Sequence, residues 1–269
     1  MIPLKELTEF ERHLQKDELS ANTIENYLRS VEMFFEFADK LTAANVIEWK
    51  ASLMKNFKPR TVNLRLNGIR RYIVWKGLPI KIKSIKEQKV TSIENVISID
   101  QFNQFVQALR DDGKEKYATF LLILGKTGAR ISEFLAMKKS DMDRGYAERH
   151  TKGKIRRIYF PEKLIDEIKD FYADYSPDDP LVVNRYGQVM TSRGIAELLK
   201  HYGERYGFPK EILHPHSFRH MFAIEFLKRN SNISLLADLM GHSNIGTTMI
   251  YLRMNQQQQV EALDKAVDW

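Results

Sequence analysis

Apolar residues recur every three or four positions over most of the chain, the period of helices with one buried face. Val62, Leu66, Ile69 and Ile73 make such a stripe within residues 59–76. The same spacing predicts helices over about 3–16, 21–39 and 43–55, with Ser20 and Thr42 as N-caps and Pro59 in a first helical turn. The period is lost in "GLPIKIKSIKEQKVTSIENV", residues 77–96, where Pro79 and several lysines suggest an extended linker. It returns at about 100–111 and in "KEKYATFLLILGKTG" and "RISEFLAMKK". "AERHTKG" and "KIRRIYF" alternate in part and predict two strands turning at Gly153, and "LVVN" reads as an isolated strand. Helices are expected again at about 161–174, 192–206, 217–229, 232–240 and 245–253, with a last one over 256–267. The pattern is mainly α: a helical domain over 1–80, a basic linker over 81–97, and an α+β domain with a small antiparallel sheet over 98–269.

A chain of 269 residues is long enough for two cores. No apolar run approaches the roughly 18 residues that span a bilayer, and the acidic start is unlike a signal peptide, so a cytoplasmic protein with no membrane partner is expected. With no cysteine, disulfide and thiolate chemistry are excluded, leaving His, Asp and Glu as the strong metal ligands. The net charge of +7 is unevenly spread: from Lys55 to Lys89 eleven basic residues face a single acid, Glu87. That concentration suits a polyphosphate partner, a solvated basic face being the alternative. Within it, Arg60, Asn63, Asn67 and Arg71 line a helix face away from the apolar stripe, preceded by Lys58 and followed by Lys81 and Lys83 in the linker. Arginine and asparagine match guanine and adenine edges in a major groove, although a polar face that touches only water reads the same way.

"HPHSFRH", His214 to His220, poses the question of chemistry. His216 and His220 share a helix face as helical zinc pairs do, yet no glutamate lies between them and an arginine does. Histidine and arginine at a helix N-terminus instead form a donor-rich corner for an oxyanion such as phosphate. Satisfied core histidines beside a surface arginine are the plainer alternative. Two further segments share this character: "TGARISE", with Arg130 after a glycine turn and Glu133 placed to orient it, and "LMGHSNIGTTMIY", with His242 on a second glycine turn and Tyr251 nine residues on.

Arg130, the His216/Arg219 pair, Gly241–His242 and Tyr251 stand in an order and spacing that resembles the tyrosine recombinase (phage integrase and Xer-like) family. "SANTIENYLRSVEMFFEFA" looks like the opening of that family's SAM-like core-binding domain, with Thr23 and Tyr27 in familiar places. The compact layout is closer to its Xer-like and simple-integrase members than to those carrying an arm-binding domain. "HTKGKIRR" resembles the family hairpin and puts the catalytic lysine at Lys152, with Lys154 as competitor, after a segment shorter than the family's.

The resemblance implies a catalytic set of Arg130, Lys152, His216, Arg219, His242 and Tyr251, with no cofactor and no metal. Two arginines supply fixed donors for charge building on a phosphodiester, the work metal ions do in many nucleases. The tyrosine, with an ordinary pKa near 10, is the nucleophile, His216 the candidate base, Lys152 the general acid and His242 a phosphate hydrogen bonder. It further implies double-stranded DNA as partner and a tetramer, of one recombinase or two, that exchanges strands through a Holliday junction. Val260, Leu263, Val267 and Trp269 would dock the last helix on a neighbouring subunit, docking on its own domain being the alternative. A type IB topoisomerase, a DNA-binding protein without catalysis and a metal-dependent hydrolase are the rivals. Tyr72, Tyr159 and Tyr172 read as packing residues and His214 as a loop residue.

Overall fold

The computed structural model describes residues 2–87, 95–151, 154–242 and 244–252, together with 264 and 267. The chain divides into two compact units, Met1–Lys89 and Val90–Trp269.

Four helices build the first unit: α1 (Leu4–Lys16), α2 (Ala21–Phe37), α3 (Ala43–Asn56) and α4 (Pro59–Trp75). Ser20 and Thr42 cap α2 and α3 by accepting the amides of Thr23 and Asn45, and Pro59 opens α4, where its missing N–H costs nothing. The α4 stripe of Val62, Leu66, Ile69 and Ile73 is buried with Phe10, Leu14, Val31, Phe34, Trp49 and Leu53. Helices α2 and α4 come so close that a Cβ on Gly68 would overlap Ser30.

Through Glu87 the lysine-rich segment is extended and packed on this unit. Ile80, Ile82 and Ile85 lean on the core while Lys81, Lys83 and Lys86 are exposed. Asn63 Nδ2 donates to the Ile85 carbonyl at 3.0 Å, its Oδ1 accepts the Ile85 amide at 2.8 Å, and Lys50 Nζ reaches the Lys83 carbonyl at 2.7 Å.

The second unit starts with a capping box at Ser98 and α5 (Ile99–Asp111). Helix α6 (Glu115–Thr127) is buried along nearly its whole length, as its unbroken "ATFLLILG" run requires, and packs on α5. It ends at Gly128, φ +61°, and is followed by α7 (Ile131–Leu135), α8 (Lys139–Arg144) and an antiparallel pair, β1 (Tyr146–Thr151) and β2 (Lys154–Tyr159), in register from Tyr146↔Tyr159 to Thr151↔Lys154. Helices α9 (Glu162–Ile168), α10 (Ser192–Arg205), α11 (Pro215–Arg229) and α12 (Ile233–Met240) complete it. Phe102, Phe105, Phe120, Phe134, Leu199 and Phe218 fill the core, and the Ile97 amide donates to the buried Ser217 Oγ at 2.7 Å.

Several expected elements differ. The helix over 245–253 is a pair of 3-10 turns, Ile245–Thr247 and Met249–Leu252, where Asn244 caps the Gly246 amide and the Thr248 hydroxyl is engaged by a side-chain partner. The 161–174 helix breaks after Ile168 into a short 3-10 turn, and "LVVN" contributes only the Val183↔Val189 bridge. Tyr72 and Tyr172 are buried and hydrogen bonded to Glu6 and to the Leu181 carbonyl. Tyr159, expected to pack inside, is 49% exposed on the hairpin beside Tyr146. The helix expected over 256–267, with Val260, Leu263 and Trp269, lies outside the described residues, apart from 264 and an exposed Val267. No described helix is long and apolar enough to cross a membrane.

Candidate active site

Three consecutive carbonyls at the end of α12 each hold one guanidinium. Arg156 donates to Leu239 O at 2.9 Å, Arg219 to Met240 O at 2.6 Å and Arg130 to Gly241 O at 2.7 Å. The last carbonyls of a helix lack intrahelical partners and lie at the negative end of its dipole, so they suit cations. Arg130 is delivered by the left-handed turn at Gly128 and caps α7, where the Glu133 carboxylate accepts both its amide (2.7 Å) and its guanidinium (2.9 Å). Arg156 faces inward from β2 and binds the same carboxylate. Arg219, on α11, is only 3% exposed and also donates to the Gly128 carbonyl. The cluster thus sets three guanidiniums against one carboxylate.

His242 follows on the Gly241 turn. Its Nε2 lies 3.2 Å from Arg219 and its Nδ1 2.8 Å from Thr248 Oγ1. An arginine can only donate, so Nε2 accepts and the proton sits on Nδ1, bonded to Thr248. Tyr251, like Phe222, Phe226 and Leu227, packs on the buried Ala223, Leu236 and Met240, and its hydroxyl lies 2.8 Å from His220 Nδ1. The His216 and His220 rings meet edge to face, their centroids 5.1 Å apart.

The electrostatics follow from burial and crowding. Burial alone would raise the Glu133 carboxyl, but the Arg130 amide and the two guanidiniums outweigh it and hold it below the usual range. Burial, then Arg156 and Arg130, bring Arg219 down to about 10. Burial, followed by Arg219, Arg130, Arg156 and His216, lowers His242 to about 4. His220 is lowered to about 4 by burial and by His216, His214, Arg219 and His242. Burial pushes Tyr251 up to about 12, partly offset by Arg219. Both histidines are therefore neutral near pH 7, and the tyrosine keeps its proton.

Arg130, Arg219, His242, Tyr251 and Glu133 thus come together as expected for one site, with His216 at its edge. Lys152 lies outside the described residues. Two contributors were not anticipated. Arg156 shares its strand face with the buried Ile158, so a charge in an inward-facing position was the available signal. His220, weighed before only as half of a metal pair, is the ring that meets the tyrosine. His214, read as a loop residue, caps α11 by accepting the Ser217 amide. Among the described residues no three His, Asp or Glu side chains converge as metal ligands.

In the first unit Lys58, Arg60, Asn67, Lys81 and Lys83 are exposed. Arg71 pairs with Asp17, and the Asn63 amide is committed to the 85–87 segment, where it also donates to Glu87 at 2.6 Å. The expectation that Asn63 reads a base edge therefore meets a side chain already engaged through both ends of its amide.

A helical unit followed by an α+β unit whose arginines gather beside a tyrosine defines an enzyme of the tyrosine recombinase class. Residues 95–258 match the model described as "Phage integrase family", and residues 7–77 match "Phage integrase, N-terminal SAM-like domain". The chain belongs to the phage integrase family. It is 30% identical over 274 residues to tyrosine recombinase XerA of Thermococcus kodakarensis, covering 98% of this chain and 96% of that one. The fold is shared with XerH site-specific recombinase bound to palindromic difH substrate, at TM-score 0.71 and 17% identity over 89% of this chain and 78% of that one. It is shared also with the Tn1549 transposon integrase in complex with transposon right end DNA, at TM-score 0.70 and 17% identity over 98% and 99%.

Proposed function

We propose that this recombinase breaks and rejoins DNA at a specific site through a covalent phosphotyrosine. The observation that carries the reading is the excess of buried guanidinium over carboxylate beside a tyrosine hydroxyl. A phosphodiester brings the missing negative charge, and its non-bridging oxygens gain more during attack, where fixed Arg130 and Arg219 donors count most. The Arg219 fork has five N–H donors, of which Gly128, Met240 and His242 engage three. His242 must exchange its Arg219 contact for the phosphate, becoming a donor through Nε2.

Tyr251 Oη attacks phosphorus, the P–O5′ bond breaks, and a 3′-phosphotyrosine and a 5′ hydroxyl form. The phenol proton passes to a base, for which His216 is the candidate, and the leaving oxygen takes a proton from Lys152. With Tyr251 near 12, only about one phenol in 10⁵ is ionised at pH 7, so proton removal accompanies attack. Because the new ester conserves the energy of the old one, the 5′ hydroxyl of a second duplex can reverse the step. Exchange then proceeds one strand pair at a time through a Holliday junction in a tetramer on two duplexes, formed by this protein alone or with a second recombinase. The work is done in the cytoplasm, with Lys58, Arg60, Asn67, Arg71, Lys81 and Lys83 facing DNA.

The test is a nicked duplex, recovered by binding selection, incubated with the protein in EDTA and run on a denaturing gel. A protein–DNA band that vanishes with Tyr251→Phe is expected. Covalent product that survives the substitution would remove Tyr251 from the role.

A further inference from the structure

His220 lies one helical turn beyond His216 on α11, with Nδ1 2.8 Å from the Tyr251 hydroxyl and ring centroids 5.5 Å apart. Tyr251 is carried by the short 3-10 turn Met249–Leu252, whose hydrogen-bond geometry is poorer than that of an α-helix. Its ring packs on the buried group of Ala223, Leu236 and Met240, and its hydroxyl meets a polar partner, the His220 ring. That partner comes from α11, the same helix that supplies Arg219 one residue earlier. One rigid element therefore holds both a phosphate-binding group and the nucleophile's anchor. We infer that His220 is a positioning residue for Tyr251, accepting the phenol proton in a hydrogen bond that keeps the hydroxyl aimed at the arginine cluster. This rests on the phosphotyrosine reading.

The charged and titratable groups facing His220 favour this role over that of proton acceptor. His216 and His214 lie on or at the cap of its own helix, Arg219 is its neighbour, His242 comes from the Gly241 turn and Tyr251 from the turn beyond. All but the phenol are cations when charged, so they oppose a proton on the ring. Burial lowers the imidazole and raises the phenol, so full transfer between them is uphill, and the proton leaves by another route. What the ring supplies is a neutral lone pair at a fixed place, which matters because a displacement of about 1 Å in a nucleophile can cost 10²-fold in rate.

Three variants separate the hydrogen bond from packing: His220→Phe keeps a ring without an acceptor, His220→Asn offers an amide oxygen near the Nδ1 position, and His220→Ala removes both. Single-turnover cleavage of the selected nicked duplex is measured with DNA affinity as the control for folding. Phe and Ala are expected to slow cleavage about 10²-fold at unchanged affinity, with Asn recovering most of it. In protein labelled with ¹³C at tyrosine Cζ, the Tyr251 resonance, assigned by its loss in Tyr251→Phe, should titrate at lower pH in His220→Phe. Wild-type cleavage by His220→Phe, or Asn as slow as Phe, overturns the assignment. Absence of any covalent product from the wild type on duplex it binds instead overturns the phosphotyrosine reading, and this inference with it.

Discussion

Gly241 lies directly against Arg156, so that a Cβ at this position would overlap the arginine's Cδ and Nε. The glycine also has φ +59°, a left-handed conformation that costs a residue with a Cβ about 1–2 kcal/mol. Its carbonyl holds Arg130, while the carbonyl two residues earlier holds Arg156. Gly241→Ala should therefore lower the apparent Tm of the second unit by about 5 °C, from the backbone penalty and roughly 2–4 °C per kcal/mol at this size. Cleavage should suffer far more, since both arginines are displaced. A variant with normal cleavage and lowered Tm would show that the turn matters only for folding.

Glu133 and Arg156 form a buried pair whose two halves should not be equivalent. Glu133→Gln leaves three guanidiniums with no carboxylate and should cost about 3–5 kcal/mol, the usual result of stranding buried charge. Arg156→Met removes one cation from a cluster with too many, relieving the repulsion that lowers Arg219 and His242, while Arg130 keeps its bonds to Glu133. Its stability should stay within about 1 kcal/mol of wild type while cleavage falls, because the carboxylate that orients Arg130 has lost its second anchor. Urea unfolding of both variants checks this, and equal losses would contradict it.

Much of this arrangement was legible in the chain. The caps at Ser20 and Thr42 and the proline at 59 mark helix starts by local hydrogen bonding or fixed φ, so they are written in adjacent residues. Arg130, Arg219, His242 and Tyr251 could be named because motif order survives folding. Arg156 and His220 could not be assigned, since their roles depend on Leu239 and Tyr251, which lie 83 and 31 residues away along the chain. The 3-10 turns at 245–252 were hidden for the same reason: the Thr248 hydroxyl that competes with helix is drawn to His242 by the fold.

The depressed histidines give a pH dependence of known sign. His220 and His242 sit near 4 in the folded chain, so between about 6.5 and 4 the unfolded chain binds protons that the folded one refuses. Their contribution is fully present above about 6.5 and is lost as pH falls. His214, lowered chiefly by burial, acts in the same direction. The contribution of Glu133, also depressed, is constant above about 4.5 and is lost only below it, so the window from 6.5 to 5 isolates the rings. Urea midpoints should decline across that window, and the doubly substituted His220→Phe/His242→Asn protein should show a flatter profile. A wild-type midpoint that is constant from pH 7.5 to 5 would contradict the assignment.

Asn63 and the lysines beside it should affect DNA binding in different ways. The Asn63 amide holds the 85–87 segment against α4 through two bonds to Ile85 and one to Glu87, whereas Lys81 and Lys83 are exposed. Phosphate contacts make affinity fall with salt, by about 10³-fold or more from 50 to 200 mM when six or more phosphates are neutralised. Substituting Lys81 and Lys83 by Ala should reduce that slope by about one unit per lost contact while leaving the selected DNA sequence unchanged. Asn63→Ala frees the segment that carries both lysines. It should lower the Tm of the first unit and weaken binding to all sequences alike, because no base contact is removed. If Asn63→Ala instead relaxes the sequence preference at one position of the selected site, the amide turns from Ile85 to a base edge when DNA binds, and the segment is released on recognition.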